Sequence, residues 1–265
     1  MDEKVTFITA EELQGINSDQ PEQMSAGPTE ESIAKRKPRK KNTDFLKSEL
    51  HKKERDEIKK NLKTFLPIIE QAKARNANEA DTANIVHKLF QDVLGWDFLD
   101  LTSEYKIKST YCDLAIKYQG DIHLLIEVKA IGLNLKEEHS RQASNYAAHE
   151  GVKFTLLTNG ETFRLYNVDL DDKIVVTEVF EFTLTHTPSL DDLTELYLLS
   201  KYSLLKEQIS DYWTREETLS AVNLYKALLS EECLSALSKS LRIEHGIKID
   251  TEVIKARLEG ILNRI

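Results

Sequence analysis

The segment 122–128 constrains the fold more than any other part of the sequence. Leu124, Leu125 and Ile126 are consecutive there, so an extended strand through them is apolar on both faces. Such a strand belongs inside a sheet that is covered on both sides. The apolar run stops at Glu127 and Lys129, and this abrupt change to charged residues predicts a cleft at the end of the strand.

The segments around this strand alternate between extended and helical patterns. Gln119-Gly120-Asp121 predicts a turn that joins strand 111–118 to strand 122–128 as a hairpin. Further strands are predicted at 101–107, 154–157, 161–168 and 173–180, and helices at 44–74, 79–94 and 136–149. Pro67 is expected to kink or divide the first of these helices. After Pro188 every pattern is helical, so the sequence predicts an α/β middle followed by an all-α end.

Three regions follow from these patterns. Residues 1–43 are rich in polar residues and predict a disordered tail, which contains a basic run at 35–41. Residues 44–187 predict an α/β domain with a leading helix, and residues 188–265 a helical C-terminal region. The last region carries no motif, and two interpretations stay open: a surface for a homodimer or a protein partner, or a packed cap.

Charge is distributed unevenly along the 265 residues. The net charge of −9 divides into −7 over 1–34, +9 over 35–75 and −11 over 76–265, so partners are judged from these blocks. The chain has no apolar run of about 20 residues and no signal-peptide pattern. Its two cysteines form no C-x-x-C motif. We therefore expect a cytoplasmic protein with no membrane contact and no structural zinc.

Two carboxylates are predicted to meet on the hairpin. If Gln119-Gly120-Asp121 closes it as a three-residue loop, Asp113 lies opposite Glu127, and Lys129 lies on the same sheet face. Like charges on neighbouring positions repel each other, and a divalent cation relieves the repulsion. Mg²⁺ prefers carboxylate and carbonyl oxygens, so we expect Asp113, Glu127 and the Val128 carbonyl to bind Mg²⁺, with Mn²⁺ as an alternative.

The same residues provide the parts for phosphodiester hydrolysis. A bound metal acidifies water and stabilises charge on a phosphate oxygen, and Lys129 can orient that water or neutralise the transition state. The competing interpretation is that Glu127 and Lys129 form an ordinary surface pair that contributes little.

Two helices add candidate residues. Gln142 and Tyr146 lie four residues apart and share one helical face, which places an amide and a phenol toward the cleft or, alternatively, a tyrosine in the core and an exposed glutamine. Glu79 begins the helix before the strands, where acids are expected for capping, and it could also lie over the sheet as another acid.

In chain order these residues resemble the N-terminal nuclease domain of type I restriction enzyme R proteins, in the PD-(D/E)XK nuclease superfamily. The resemblance covers about residues 76–182. The segments that carry it are Glu79-x-x-Thr82, Leu94-Gly95-Trp96-Asp97, Glu104, Asp113, Glu127-Val128-Lys129-Ala130, Gln142-x-x-x-Tyr146 and Leu157-Thr158-Asn159-Gly160.

The resemblance implies a restriction-endonuclease-like fold, with a mixed sheet flanked by helices and a site at one end of its central strands. It implies that Asp113 and Glu127 bind the metal, that Lys129 is the catalytic lysine, and that Gln142, Tyr146 and Glu79 are accessory. Cys112 replaces the proline of the motif name. No G-x-x-x-x-G-K-[ST] occurs, so the expectation is a stand-alone domain without the ATP-driven motor.

Three functions are open. The first is a Mg²⁺-dependent DNA endonuclease, in restriction or phage defence, which as a double-strand cutter would act as a dimer. The second is a non-catalytic module on a nuclease-like fold that binds protein or DNA. The third is a nucleic-acid tether acting through the basic block 35–75. The sequence favours the first and leaves sequence specificity, DNA versus RNA and the number of metals open.

Overall fold

One seven-stranded sheet organises the first of the two units into which the chain divides, residues 1–211 and 212–265. The structure is a computed structural model that describes residues 5–7, 49–108, 110–170 and 174–262. The strands are β1 (Val5–Phe7), β2 (Leu101–Ile107), β3 (Thr110–Tyr118), β4 (Asp121–Val128), β5 (Phe154–Thr158), β6 (Thr162–Asp169) and β7 (Val175–Thr183). Their order across the sheet is β1-β7-β6-β5-β4-β3-β2.

The sheet is mixed because β4 and β5 run parallel, whereas every other neighbouring pair of described strands is antiparallel. All five residues of β5 and the last five residues of β4 are buried, as their apolar sequences require. Helix α3 (Glu137–Glu150) makes the crossover between these two parallel strands.

Two N-terminal helices precede the sheet: α1 (Glu49–Ala74) and α2 (Glu79–Asp92). They pack against each other, and α2 also contacts β3 and β4. Pro67 does not divide α1, which continues through it. Pro67 is exposed, so water can reach the Lys63 carbonyl that loses its N–H partner. The predicted fold class, a mixed sheet flanked by helices with a helical C-terminal extension, is confirmed.

The β3–β4 hairpin differs from the predicted three-residue loop. Tyr118 pairs with Asp121, so the turn has two residues, Gln119 and Gly120, and both have the positive φ of a type I′ turn. A bulge follows: Lys117 pairs with Ile122 and Ile116 with Leu124. The bulge leaves His123 without an opposite residue and restores the predicted register from Ile116 onward.

The first helices after the sheet belong to the first unit. They are α4 (Leu190–Leu198), α5 (Lys201–Leu205) and the start of α6 (Gln208–Thr218). The Trp96 indole donates to the Leu199 carbonyl at 3.0 Å, and Lys201 pairs with Asp97 and with Asp100. Because these long-range contacts tie the segment to the residues before the sheet, the predicted boundary at 187/188 falls inside the first unit.

The second unit is helical. It contains the rest of α6, α7 (Ala221–Leu228), α8 (Glu231–His245) and α9 (Thr251–Leu262). Leu234 and Ile254 are its buried apolar residues in the described part, and Ser238 Oγ donates to the Ile249 carbonyl at 2.6 Å. The predicted helical character of the C-terminal region is therefore confirmed.

The N-terminal region contains a strand that the sequence did not predict. Val5–Phe7 is a strand at the sheet edge, paired antiparallel with β7, so the prediction of disorder over 1–43 is wrong for these three residues. A β-branched and aromatic stretch suits a strand. The other residues of the predicted tail, including the basic run 35–41, lie outside the described residues. No helix in the described part of the chain is both long and apolar enough to cross a membrane.

The core contacts predict a large difference between two identical substitutions. Leu89 on α2 is 1% exposed, whereas Leu99 is 89% exposed. Leu89→Ala should lower the free energy of unfolding by about 2–5 kcal/mol, because it leaves a cavity. Leu99→Ala should change it by less than about 0.5 kcal/mol. Urea denaturation of both variants measures this, and equal effects would contradict the packing described here.

Candidate active site

The candidate site begins where β4 ends. Glu127 is 2% exposed and Lys129 is 9% exposed, so the charged pair that follows the apolar run is buried rather than on the surface. Lys129 Nζ donates to Glu127 Oε1 at 2.6 Å. The interpretation of Glu127 and Lys129 as an ordinary surface pair therefore does not fit the structure.

Asp113 reaches the same place from β3. The last paired residues of the hairpin are Leu114 and Ile126, and one further step in that register places Asp113 opposite Glu127. Asp113 Oδ2 accepts a hydrogen bond from the Val128 N–H at 2.7 Å, which fixes the orientation of its carboxylate. The structure thus brings Asp113 and Glu127 together as the sequence predicted. The Val128 group that contacts Asp113 is the N–H.

Glu79 approaches from the first turn of α2. Asn78 caps this helix by accepting a hydrogen bond from the Asp81 N–H, and Glu79 follows it directly. Glu79 Oε1 lies 3.7 Å from Lys129 Nζ, so Lys129 has an acid on both sides. The structure therefore brings Glu79 to the candidate site beside Lys129.

The environment shifts the pKa values of the buried Glu127 and Lys129 and of the half-buried Asp113. Burial raises the pKa of Glu127 to about 7, and the neighbouring Asp113 charge adds to the increase against the opposing effect of Lys129. Burial also raises the pKa of Asp113, while the Val128 N–H and Lys129 act against that rise. For Lys129 burial lowers the pKa, but the hydrogen bond and charge of Glu127 and the charge of Glu79 outweigh it, so the net shift is upward.

Two carboxylate oxygens face the site without a hydrogen bond from the described residues: Asp113 Oδ1 and Glu127 Oε2. The second of these is buried. An unpartnered buried carboxylate oxygen is costly, and a divalent cation compensates it directly. Among the described residues no three His, Cys, Asp or Glu side chains form a metal cage. Mg²⁺ needs no such cage, because it binds through one or two carboxylates and keeps several waters. The donor set therefore fits Mg²⁺.

Gln142 and Tyr146 on α3 contact each other. Gln142 Nε2 donates to the Tyr146 hydroxyl at 3.0 Å; Gln142 is exposed and Tyr146 is buried. Tyr146 packs in a cluster with Ala115 and Leu125, which lie two residues from Asp113 and Glu127 on the same strands. Residues two apart in a strand share a face, so α3 covers the sheet face that bears the carboxylates. No hydrogen bond joins Gln142 or Tyr146 to those carboxylates within the described structure.

Glu104 is part of the family resemblance but has no role assigned from it, and the structure brings its charge to the site. Glu104 falls between the paired residues Ser103↔Leu114 and Tyr105↔Cys112, opposite Asp113, and its φ is +50°. Its negative charge contributes to the raised pKa of Asp113. A non-glycine residue in the left-handed region in mid-strand is uncommon, and sequence alone gives no signal of it.

Together the fold and the site define an α/β protein with paired acids and a buried lysine at the end of its central strands. The comparison with known families agrees with this description: residues 83–180 match the family described as type I restriction enzyme R protein N terminus (HSDR_N). The resemblance found in the sequence is confirmed over this stretch, which is just over a third of the chain. It includes Asp113, Glu127 and Lys129 and begins after Glu79. Searches of curated proteins and of solved structures found no significant match.

The raised pKa of Glu127 predicts a pH-dependent stability in the absence of divalent cations. The folded state holds the Glu127 proton up to about pH 7, whereas the unfolded state releases it near 4.5. Stability should therefore fall as pH rises between these values, by on the order of 2–3 kcal/mol from this group. Urea denaturation with EDTA at several pH values measures the decrease.

Glu127→Gln should remove most of this decrease, because its side chain does not titrate. Glu138→Gln is the matched control, since Glu138 is exposed on α3 and should leave the pH dependence unchanged. The same pH dependence in wild type and Glu127→Gln would contradict the raised pKa.

Proposed function

We propose that this protein is a Mg²⁺-dependent endonuclease that hydrolyses phosphodiester bonds of DNA in a restriction-related role, on a PD-(D/E)XK nuclease fold. The observation that carries the proposal is the buried Glu127 carboxylate. One of its oxygens binds Lys129, and the other has no partner, beside a second carboxylate on Asp113. The family match supports the restriction-related role and an interaction with DNA.

Each residue has a distinct part in this proposal. Asp113 and Glu127 would hold the metal, each having a carboxylate oxygen free of hydrogen bonds in the described structure, and the Val128 carbonyl is a proposed third ligand. Bound Mg²⁺ supplies Lewis acidity, lowers the pKa of a coordinated water and stabilises charge on a phosphate oxygen. Lys129 stays protonated between Glu127 and Glu79 and neutralises charge that develops on the phosphate. Mn²⁺ suits the same oxygen ligands.

The neighbouring residues orient these groups. The Val128 N–H fixes the Asp113 carboxylate, and Glu79 limits the positions open to the Lys129 ammonium. Gln142 lies on the exposed side of the Gln142–Tyr146 pair, where its amide can contact a phosphate group, while Tyr146 anchors that side chain to the core.

Metal binding and cleavage test the proposal together. Wild type should bind Mg²⁺ in calorimetry and nick plasmid DNA. Asp113→Asn should lose the binding, because it removes the charge of one ligand, and should cut at least about 100-fold more slowly. Lys129→Ala should retain Mg²⁺ binding and lose cleavage. Asp121→Asn and Lys117→Ala, at exposed positions of the same hairpin, are the matched controls and should behave as wild type.

A second candidate function, a non-catalytic interaction module, is favoured by one observation. Asp113 Oδ2 and Glu127 Oε1 are already engaged within the protein, so the described residues satisfy half of the paired carboxylates without a metal. A folded wild type with neither Mg²⁺ binding nor nicking would select this function. Cleavage that survives both Asp113→Asn and Lys129→Ala would exclude the site as its origin.

The first helix provides a further surface for DNA. Besides Lys73, which pairs with Glu161, five lysines on α1 are exposed in the described structure: Lys52, Lys53, Lys59, Lys60 and Lys63. They recur around one side of the helix, which also carries Asp56. Phosphate contacts by lysine release counterions and make binding depend steeply on salt. We infer that this lysine face and the basic run 35–41 deliver DNA to the site.

The lysine face predicts a change in the salt dependence of DNA binding. The triple variant Lys59→Gln, Lys60→Gln, Lys63→Gln should reduce the slope of log K against log salt by about 2–3, since each lost phosphate contact contributes about 0.9. Fluorescence anisotropy with a labelled duplex measures this slope. The control triple Lys226→Gln, Lys239→Gln, Lys248→Gln changes exposed lysines of the second unit by the same charge. An equal change in both triples would exclude a specific role for α1.

A further inference from the structure

The loop that follows β4 is held at every second residue. We call residues 129–136 the anchored loop, because it connects the end of β4 to α3 and begins with Lys129. The Lys129 N–H donates to the Thr158 carbonyl at 2.8 Å. Further along, Ile131, Leu133 and Leu135 are each held by a side chain from another part of the fold.

These three contacts have different origins. The Ile131 N–H donates to Thr82 Oγ1 at 3.0 Å, from α2. Asn159 Nδ2 donates to the Leu133 carbonyl at 2.9 Å, from the turn between β5 and β6. The Leu135 carbonyl accepts from Arg164 Nη1 at 3.4 Å, from β6. The loop also contains a turn of its own, in which the Leu133 N–H donates to the Ala130 carbonyl at 3.0 Å, and the contacts above fix this turn against its surroundings.

Thr82 is the most constrained of these anchors. It is fully buried, and its hydroxyl donates to the Asn78 carbonyl at 2.7 Å while it accepts from the Ile131 N–H. Its methyl group also faces Gly160: a Cβ at Gly160 would lie 3.2 Å from Thr82 Cγ2, so the turn packs directly onto this side chain. Both polar capacities and the methyl group of Thr82 are thus in use.

The Thr82 hydroxyl links the two elements that hold Lys129. Asn78 caps α2 directly before Glu79, and Ile131 lies two residues after Lys129. The side chains of Glu79 and Lys129 meet at 3.7 Å. A single hydroxyl therefore joins the start of α2 to the anchored loop. It holds the two backbone segments that carry Glu79 and Lys129 close to each other.

We propose that Thr82 is a positioning residue, which aligns Lys129 with Glu127 by fixing the anchored loop against the start of α2. This inference rests on the proposed nuclease function. In the described structure the Thr82 hydroxyl bonds to Asn78 and Ile131 and not to the carboxylates, so its effect on the reaction passes through Lys129. Small displacements of a reacting group cost one to two orders of magnitude in rate, which sets the expected size of the effect.

The test compares Thr82→Val with Thr82→Ser. Valine keeps the methyl group and the volume but leaves the buried Ile131 N–H without an acceptor, whereas serine keeps the hydroxyl. In Thr82→Val, hydrogen exchange of the Ile131 amide should accelerate by about tenfold relative to the Leu125 amide of β4. The kcat for plasmid nicking should fall about 10- to 100-fold with little change in KM or Mg²⁺ affinity. Thr82→Ser should restore both within about threefold.

Asn159→Asp gives an independent variant if Thr82→Val does not fold. Asn159 Oδ1 accepts from the Glu161 and Thr162 N–H groups, and aspartate keeps both of these bonds. The donor to the Leu133 carbonyl is lost, and a negatively charged oxygen that repels this carbonyl takes its place. This variant should lower kcat in the same direction. Thr64→Val, at an exposed position of α1, is the control for the substitution itself.

The outcomes separate this inference from the proposed function. Wild-type kcat in folded Thr82→Val or Asn159→Asp would overturn the positioning role. Equal acceleration of exchange at Ile131 and Leu125 would show that Thr82 stabilises the fold in general, and this result would also overturn the positioning role. A wild type that cleaves no DNA would refute the proposed function. In that case the exchange data still test the contact between Thr82 and Ile131. Unchanged Ile131 exchange in Thr82→Val would refute this anchoring contact, and acceleration confined to Ile131 would support it.

Discussion

The Glu127 carboxylate lies at the end of a strand whose preceding residues are fully buried, and the arrangement around it follows from the cost of that burial. One oxygen is satisfied by Lys129, which is itself buried and needs Glu127 and Glu79 as counterions. Asp113 adds a second negative charge, held by the Val128 N–H. Apolar residues in place of buried charges are often neutral or stabilising, so these charges are retained at a cost to stability, which supports the divalent-cation site proposed above.

The sheet supplies this site through its topology. The parallel pair β4–β5 requires a crossover, and α3 provides it on the face that carries the carboxylates. Because β4 is an interior strand, the start of α2, the anchored loop and the turn between β5 and β6 all meet near its end. The same interior position explains why Glu127 is almost completely buried, whereas Glu79, which contacts Lys129 from α2, is exposed.

Much of this arrangement could be read from the sequence, because it depends on short-range periodicity. The apolar run before Glu127 predicted an interior strand, and the spacing of Gln142 and Tyr146 predicted a shared helical face. The contacts that join the helices after the sheet to the first unit could not be read from the sequence, since Trp96 and Lys201 make them across about a hundred residues. The left-handed backbone conformation of Glu104 and the contact of Thr82 with Ile131 likewise depend on the tertiary structure, and no local sequence pattern predicts them.

The hairpin tip has a consequence for how this sequence can change. A two-residue turn and one unpaired residue, His123, together give the register that a three-residue loop alone would give. Side chains alternate along a strand with a period of two. A single insertion or deletion in the turn would therefore direct the Glu127 carboxylate, about 20–25 Å along the strand from the turn, toward the opposite face of the sheet. Gain of a turn residue with loss of the bulge restores the count. A change in the length of the turn is therefore tolerated only together with an opposite change at the bulge, whereas either change alone would disrupt the register.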